Sequence, residues 1–562
     1  MSTSVRPLAG LVSIALLVGC AAPVDHLASH APKAQLFEGL GARSVPITTS
    51  SAEAQRYFDQ GVTWMYAFNH DEAIRSFAKA AEIDPDCAMA WWGVAVCEGP
   101  NYNDPVMTDE RCAAAWSALE RARARIGNTT PRERALIEAL EARYEAPGLV
   151  DRITPWPDER ARLDRAYADA MATVWADHPD DSLVGTLYAE ALMVLTPWKL
   201  YSLEKVPAED TPTILATLER VMELDPGNPG ANHLYIHAIE PSADPGQALD
   251  AAARLSDQVP GAGHLNHMPS HIYVQTGHWD ESVRQNARAM EADALYRERS
   301  PDQGIQHMYM AHNAHMLAFS AMMAGREAEA LAAARSIEEN IPDEVQEQVA
   351  GYLDPWMGAV YDVQKRFGRW DDLLAEPAPP AFFPITTAVW RAHRAIAYAA
   401  KKEIEAAERE YAEFRSAMEA IPDDSVFGDD PTHAILDVSD HFVAGEIALQ
   451  QGEWDAAIEH LERAVEAEDL LSYGEPPQWL QPTRHTLGAV YLKAGRPAEA
   501  ERVYRADLAE WRHNGWSLYG LYRALEEQGK TAEAEEVRRA HLEAWAKADA
   551  PLLTSCKCIP RT

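Results

Sequence analysis

Histidines are concentrated in one part of this chain, at spacings that suit metal binding. Of 20 His in 562 residues, nine lie between positions 233 and 315. His233, His237 and Glu240 follow one another at four and three residues, so one face of a helix carries all three. Two imidazoles one turn apart can chelate a zinc, copper or iron ion. A nearby carboxylate can fix such an imidazole in the ligating tautomer.

Two further histidine groups extend this pattern. His264, His267 and His271 form a stripe if their helix begins early, but Pro269 suits a first turn and would leave His264 in the preceding loop. The metal ligands that the sequence predicts are His233, His237, His264, His267, His271, His312 and His315. The side chains predicted to support these ligands or to touch a bound ligand are Asn232, Glu240, Asn266, Asn313, Trp91, Trp92, Asn101 and Asn103.

The same residues have other interpretations. In one, the His and Asn side chains form hydrogen bonds with one another between helices. In the others, they bind a peptide or are scattered over the surface. Clustered imidazoles also titrate near pH 6–7, which would make such a surface pH-responsive. A metal requires ring nitrogens from two or more helices within ~4 Å of a common point, because Zn–N distances are ~2.0–2.1 Å. Trp91 and Trp92 could line a ligand pocket, but tryptophans at repeat positions usually belong to the hydrophobic core.

Other catalytic patterns are missing from the sequence. The segment from His233 to His237 lacks the Glu of HExxH, and His237-x-x-Glu240 reverses the order found in di-iron bundles. There is no GxSxG elbow and no phosphate-binding glycine loop. Lys plus Arg number 50 against 87 Asp plus Glu, a formal charge of −37. Such a surface repels phosphate backbones, so we expect no nucleic acid partner and a preference for cationic ligands.

The elements that must position these side chains are helical hairpins. Gly61, Trp64, Ala73, Phe77 and Pro85 follow the offsets of a 34-residue tetratricopeptide (TPR) unit, in which small residues let paired helices approach and aromatic residues fill the gaps. Later copies of this register include Ser270, Tyr273, Gly277, Trp279, Ala289, Gly488, Tyr491, Gly495, Ala500 and Tyr504. Strand signals are nearly absent. The sequence therefore predicts an all-α, TPR-like solenoid of helical hairpins, wound as a right-handed superhelix.

The N-terminus has the pattern of an export signal. Arg6 precedes an apolar run from Leu8 to Val18 that is too short to span a bilayer. The run ends in Leu17-Val18-Gly19-Cys20, which resembles the lipobox of bacterial lipoproteins. That resemblance implies cleavage before Cys20, lipidation of its thiol, and sorting to an outer membrane facing the periplasm. Later in the chain no stretch approaches 18 apolar residues.

The resulting domain organisation has six segments. They are a lipoprotein signal peptide at 1–19, a flexible tether at 20–50, an N-terminal TPR-like region with insertions at 51–225, His-rich repeats at 226–345, C-terminal repeats at 346–550 and a tail at 551–562.

Several longer segments resemble a widespread, largely uncharacterised family of bacterial TPR proteins. The matching segments are AFNHDEA at 67–73, CAMAWWGVAVCEGPNYN at 87–103, GANHLYIHAIE at 230–240, VPGAGHLNHMPSHIY at 259–273, residues 473–479 and NGWSLYGL at 514–521. The resemblance covers nearly all of the mature chain. It implies a helical repeat fold and brings no settled activity.

Five cysteines remain besides Cys20. Cys87 and Cys97 would lie ~15 Å apart along one helix and cannot bridge, whereas Cys97 and Cys112 could pair across a hairpin. Cys556 and Cys558 could bind a soft metal or pair between chains, but their polar setting favours a frayed tail.

Together these patterns favour a non-catalytic, lipid-anchored scaffold of the cell envelope. It would recognise a protein or peptide partner in the concave groove of its superhelix. The alternative is a metalloprotein, and an enzyme if the ion is catalytic, with zinc, copper or iron among the central histidines.

Overall fold

The computed structural model describes residues 29–144, 158–300, 304–339 and 341–559. Within these ranges the regular structure is helical, apart from two paired strands of two residues each. The predicted all-α class is therefore confirmed. The predicted signal peptide and the lipidation site at Cys20 lie outside the described residues.

The helices follow one another along the whole described chain. In order, the α-helices are Ala52–Tyr66, His70–Ile83, Ala88–Cys97, Asp109–Arg123, Pro131–Glu141, Asp158–Asp177, Ser182–Met193, Thr211–Leu224, Pro229–Ile239, Leu249–Leu255, Gly263–His267, Pro269–Thr276, Trp279–Arg299, Gln306–Met323, Glu327–Glu339, Asp343–Gln348, Ala350–Leu353, Ala359–Phe367, Trp370–Ala375, Pro384–Ala400, Ile404–Glu419, Thr432–Gln451, Trp454–Glu468, Thr483–Lys493, Pro497–Glu510, Gly515–Glu527 and Thr531–Ala544. Short 3-10 helices occupy Ala31–Lys33, Ile126–Asn128, Pro245–Ala248 and Asp354–Trp356. The strands Val426–Phe427 and Asp430–Pro431 pair antiparallel.

The chain divides into two compact units. The first unit contains the described residues up to Ile272 together with Arg288–Gln306. The second unit contains Tyr273–Ala287 and the described residues from His307 onward. All of the predicted ligands except His312 and His315 belong to the first unit.

The first unit is built from hairpins whose packing follows the predicted register. Ser51 and Asn69 cap the first two helices by accepting hydrogen bonds from backbone N–H groups, at 3.2 and 3.1 Å. Phe77 of the second helix lies between two glycines of the flanking helices, because a Cβ on Gly61 or on Gly93 would come within 2.5 Å of its ring. The two glycines thus let the adjacent helices approach closely, and the aromatic ring fills the space between them.

The second unit repeats this arrangement near its C-terminal end. The ring of Tyr504 lies against Gly488 and Gly520, where an added Cβ would come within 2.4 and 2.1 Å of it. The helices Thr483–Lys493, Pro497–Glu510 and Gly515–Glu527 that carry these residues pack in succession. The predicted positions of Gly488 and Tyr504 in the repeat are therefore confirmed.

Part of the predicted tether lies against the first unit. The backbone N–H of Phe37 donates to Gln60 Oε1 at 2.8 Å, and that of Val45 donates to Asp59 Oδ1 at 2.8 Å. Leu40 and Val45 are buried. These contacts pack residues 37–45 against the first unit, whereas the sequence predicts a flexible tether there.

Two cysteine predictions are wrong. Cys97 and Cys112 are free thiols; Cys97 is fully buried whereas Cys112 is partly exposed, so the two face different surroundings. Cys556 and Cys558 are joined in a disulfide, and both are buried instead of lying in a frayed tail.

Within the described ranges, no helix combines the length and the apolar character needed to cross a membrane.

Candidate metal centre

The first histidine pair is carried by the helix Pro229–Ile239. Asn228 caps this helix by accepting a hydrogen bond from the backbone N–H of Ala231 at 3.1 Å, and Pro229 occupies the first turn. Every residue of the helix is buried. His233 and His237 therefore have no surface face to turn to, and their rings lie inside the first unit.

The second histidine group lies on two short consecutive helices. His264 and His267 belong to Gly263–His267, and His271 belongs to Pro269–Thr276. Pro269 starts the second of these helices, as its preference for a first turn predicts. His264 is nevertheless helical, and all three imidazoles are buried.

Three imidazoles from two of these helices converge. One ring nitrogen from each of His233, His237 and His264 lies within 4.8 Å of those of the other two. The Nε2 atoms of His233 and His264 are 3.1 Å apart. Two nitrogens bound at ~2.05 Å to one tetrahedral zinc ion would be about 3.3 Å apart, so the pair already has the spacing of two ligands.

Hydrogen bonds on the far side of two rings select the ligating tautomer. His233 Nδ1 donates to the backbone carbonyl of Tyr66 at 2.7 Å. His237 Nδ1 donates to Glu240 Oε1 at 2.9 Å. A neutral imidazole with its proton on Nδ1 presents the lone pair of Nε2, which is how proteins commonly prepare histidine for a metal.

Glu240 also holds a second pair of imidazoles. Its other oxygen, Oε2, accepts a short hydrogen bond from His271 Nδ1. His271 Nε2 then lies 2.6 Å from His267 Nε2, and because the His271 proton is on Nδ1, the N–H of His267 Nε2 donates to it. A single buried carboxylate thus orients His237 and His271, and places negative charge next to the three converging rings.

Aromatic side chains from distant hairpins form the walls of this site. The Phe68 ring lies 4.5 Å from that of His233, and the rings of Tyr102 and Trp198 lie 5.2 and 5.5 Å from that of His237. Phe68 and Trp198 have φ values of +54° and +60°. Bulky residues rarely adopt the left-handed region, and such strain is concentrated at functional sites. Nothing in the spacing of these aromatic residues singles them out in the sequence.

Burial keeps the central imidazole neutral. His233 has no exposed surface, and this burial lowers the pKa of His233 to about 3, although its hydrogen bond to the Tyr66 carbonyl acts in the opposite direction. Neutral imidazole is the form that binds a metal. A buried His cluster of this kind could hold a transition metal ion.

The remaining predicted histidines lie in the second unit. His312 and His315 are on the helix Gln306–Met323, and their rings lie 6.1 and 6.0 Å from that of Trp356. Burial lowers the pKa of His315 to about 4. Asn313 is buried on the same helix.

The predicted asparagines of the first unit fix the backbone. Asn232 donates to the carbonyl of Asn228 at 2.7 Å and accepts from Arg254 Nε at 3.0 Å. Asn266 donates to three carbonyls, that of Ala262 at 2.9 Å among them. These contacts support the two helices that carry the imidazoles.

The predicted aromatic and amide pocket has a structural role. Trp91 and Trp92 are core residues, and the Arg121 guanidinium lies 4.6 Å from the Trp91 ring centroid. Asn101 Oδ1 accepts from the backbone N–H groups of Asn103 and Asp104, both at 2.9 Å, which closes a turn.

Comparison with known proteins finds distant structural neighbours. No protein-family model matches the chain, and no curated protein sequence matches it. Among solved structures, the human IFIT1 dimer with PPP-AAAA is 14% identical, with 87% of this chain and 89% of that chain covered, at a TM-score of 0.30. The Cut9-Hcn1 hetero-tetramer of the APC/C is 13% identical, with 87% and 76% covered, also at 0.30. Both neighbours are helical-repeat proteins of the TPR type. At this level of similarity they carry no further argument.

Proposed function

We propose that this TPR-type helical protein is a metalloprotein that binds one transition metal ion through His233, His237 and His264. The observation that carries the proposal is the pair of Nε2 atoms facing each other at 3.1 Å, one of them on an imidazole whose Nδ1–H is engaged elsewhere. Two buried imidazole nitrogens this close together share either a hydrogen-bonding proton or an ion, and the metal analysis below distinguishes the two.

The donor set indicates the class of ion. Three neutral imidazoles suit zinc, copper, iron or nickel and offer no oxygen-rich cage for calcium or magnesium. Three protein ligands leave a fourth position for water or a substrate, as in zinc enzymes. The carboxylate of Glu240, one hydrogen bond away from His237, offsets part of the ion's charge in this buried setting.

Metal analysis of the full chain tests the proposal. The protein is unfolded with a chelator, freed of the chelator while unfolded, and refolded in the presence of Zn²⁺, and the bound zinc is measured by elemental analysis after gel filtration. We expect the wild-type chain to bind one equivalent of zinc more than the His233→Ala/His264→Ala variant binds.

The matched control is His178→Ala, because His178 lies in the same unit and is partly exposed. This variant should keep the full zinc equivalent. Uptake below a tenth of an equivalent by folded wild-type protein would refute the metal site, as would uptake that the double variant retains.

The cellular address and the partner are proposals from the sequence. We propose that the chain is exported and anchored by a lipid on Cys20, and that its helical repeats bind a protein or peptide partner. The support is the lipobox-like Leu17-Val18-Gly19-Cys20 and the general use of repeat surfaces for binding. Palmitate labelling should be lost in Cys20→Ala, and envelope crosslinking should recover a reproducible partner. Labelling that survives the substitution would refute the anchor.

A further inference from the structure

The segment around the C-terminal cysteines is fixed within the second unit. Ser555 Oγ donates to the carbonyl of His485 at 2.8 Å and accepts from the Tyr504 hydroxyl at 2.6 Å. Gln450 Nε2 donates to the carbonyl of Cys558 at 2.7 Å. Cys556 and Cys558 are each only 4% exposed. Their sulfur atoms therefore occupy a defined place in the interior.

A buried carboxyl group faces these sulfur atoms. Glu446, on the helix Thr432–Gln451, is 1% exposed, and its Oε1 lies 3.7 Å from Cys556 Sγ. One atom from each of Glu446, Cys556 and Cys558 lies within 4.8 Å of the others. Cys556 is in a disulfide and has no S–H, so this contact is not a thiol hydrogen bond.

We propose that Glu446, Cys556 and Cys558 form a second metal site, which binds Zn²⁺ when the disulfide is reduced and is closed when it is oxidised. Thiolates select soft or borderline ions such as zinc and Cu(I), and the carboxylate favours zinc. The site shares no residue with the histidine cluster, which lies in the first unit.

The geometry of the two cysteines permits chelation. Their Cα atoms are 5.3 Å apart. Two thiolates bound at ~2.3 Å to a tetrahedral zinc ion are about 3.8 Å apart, a separation that their side chains reach from this spacing by rotation about χ1. Glu446 then supplies a third ligand, and water supplies the fourth.

The chemistry balances with a phosphine as the reductant. The phosphine takes the oxygen of one water molecule to become its oxide, and the S–S bond receives the two electrons and two protons to become two thiols. Binding of Zn²⁺ then releases the two thiol protons to the buffer, together with any proton on the Glu446 carboxyl group. The complex of Zn²⁺ with three anionic ligands carries one negative charge; the Lys365 ammonium group acts on Glu446 and is also paired with Asp362 at 3.0 Å.

Cobalt titration of the full chain tests the second site. Co²⁺ reports thiolate ligands by a charge-transfer band in the near ultraviolet that imidazole ligands do not produce. We expect the band, at one equivalent, in phosphine-reduced protein and not in oxidised protein. It should be lost in Cys556→Ser/Cys558→Ser and weakened in Glu446→Gln. Added Zn²⁺ should displace the Co²⁺ and remove the band.

Matched variants separate this site from the histidine site and from the other thiols. The band should persist in Glu453→Gln, an exposed carboxylate nearby in sequence, in Cys112→Ser, and in His233→Ala/His264→Ala. Because the same wild-type chain is compared in two redox states, the test does not depend on the folding of a variant. Circular dichroism and alkylation followed by mass spectrometry verify that the reduced chain is folded and has gained two thiols. A folded, reduced chain without the band would overturn the proposal, as would a disulfide that phosphine reduces only after unfolding.

Discussion

The Nε2 atoms of His233 and His264 face each other at 3.1 Å, although the two residues are 31 positions apart and lie on separate helices. Without a metal, His264 donates an N–H to His233, whose own proton is on Nδ1. To hold a metal, His264 would have to carry its proton on Nδ1, so that the Nε2 atoms of both rings offer a lone pair.

Removing the charge of Glu240 should weaken zinc binding without loss of the fold. In Glu240→Gln the amide cannot accept equally from both His237 and His271, so the His237 ring loses its fixed tautomer. Changes in such supporting groups typically lower metal affinity about 10–100-fold. Competition with a chromophoric chelator measures the change. Glu223→Gln, an exposed carboxylate of the same unit, should bind zinc as the wild type does, and equal affinities for both variants would contradict the role of Glu240.

Zinc should stabilise the refolded, metal-free chain. An ion that binds only the native state raises the free energy of unfolding by about 2.7 kcal/mol when its concentration is 100 times the dissociation constant. Urea denaturation with and without Zn²⁺ measures this difference. His233→Ala/His264→Ala should show no such gain. A gain of equal size in that variant would place the stabilising ion elsewhere.

His70 should make the protein less stable in mild acid. Burial, with the Arg111 charge adding to it, lowers the pKa of His70 to about 3, while the unfolded chain titrates near 6.5. As the pH falls below 6.5, the unfolded state binds a proton that the native state does not, so stability is lost between about pH 6.5 and 3.

The size of this effect can be isolated with one substitution. His70→Gln keeps a donor for the Cys97 carbonyl, which the His70 ring contacts at 2.9 Å, and removes the titration. The loss of unfolding free energy between pH 8 and 5 should then be about 2 kcal/mol smaller than in wild type. Equal losses in the two proteins, measured by urea denaturation, would show that His70 is protonated in the folded chain.

Gly61→Ala should destabilise the first hairpin. The new Cβ would lie 2.5 Å from the Phe77 ring, which is held on its other side by Gly93. Overpacking of this kind typically costs about 1–3 kcal/mol, measurable by urea denaturation. Gly127→Ala is the control, because nothing lies within 4 Å of its Cβ position. Phe77→Leu in the Gly61→Ala background should recover part of the loss, and a neutral Gly61→Ala would contradict the close approach.

Local spacing was sufficient to predict the hairpins. Gly61 and Phe77, and likewise Gly488 and Tyr504, meet because the repeat offset sets which residues of adjacent helices face each other. The shared helical face of His233, His237 and Glu240 follows from the same periodicity.

Long-range contacts could not be predicted in this way. Phe68, Tyr102 and Trp198 reach the imidazoles from separate hairpins, and their positions depend on how each hairpin packs on the next. The burial of Cys556 and Cys558 was missed because their partners Glu446 and Gln450 lie on the helix Thr432–Gln451, 110 and 108 positions earlier in the chain. The polar residues next to a cysteine in the sequence do not reveal which distant helix will bury it.

The full burial of His233 and His237 also governs how fast an ion would exchange. Neither ring has any accessible surface, and Phe68, Tyr102 and Trp198 stand against them. Ligands and water reach such a position only when the surrounding helices open locally, which can require a large part of the unfolding free energy. Loading would then be tied to the moment when the chain first folds. Once inside, the ion would have a residence time set by the opening rate of the helices, whatever its equilibrium affinity.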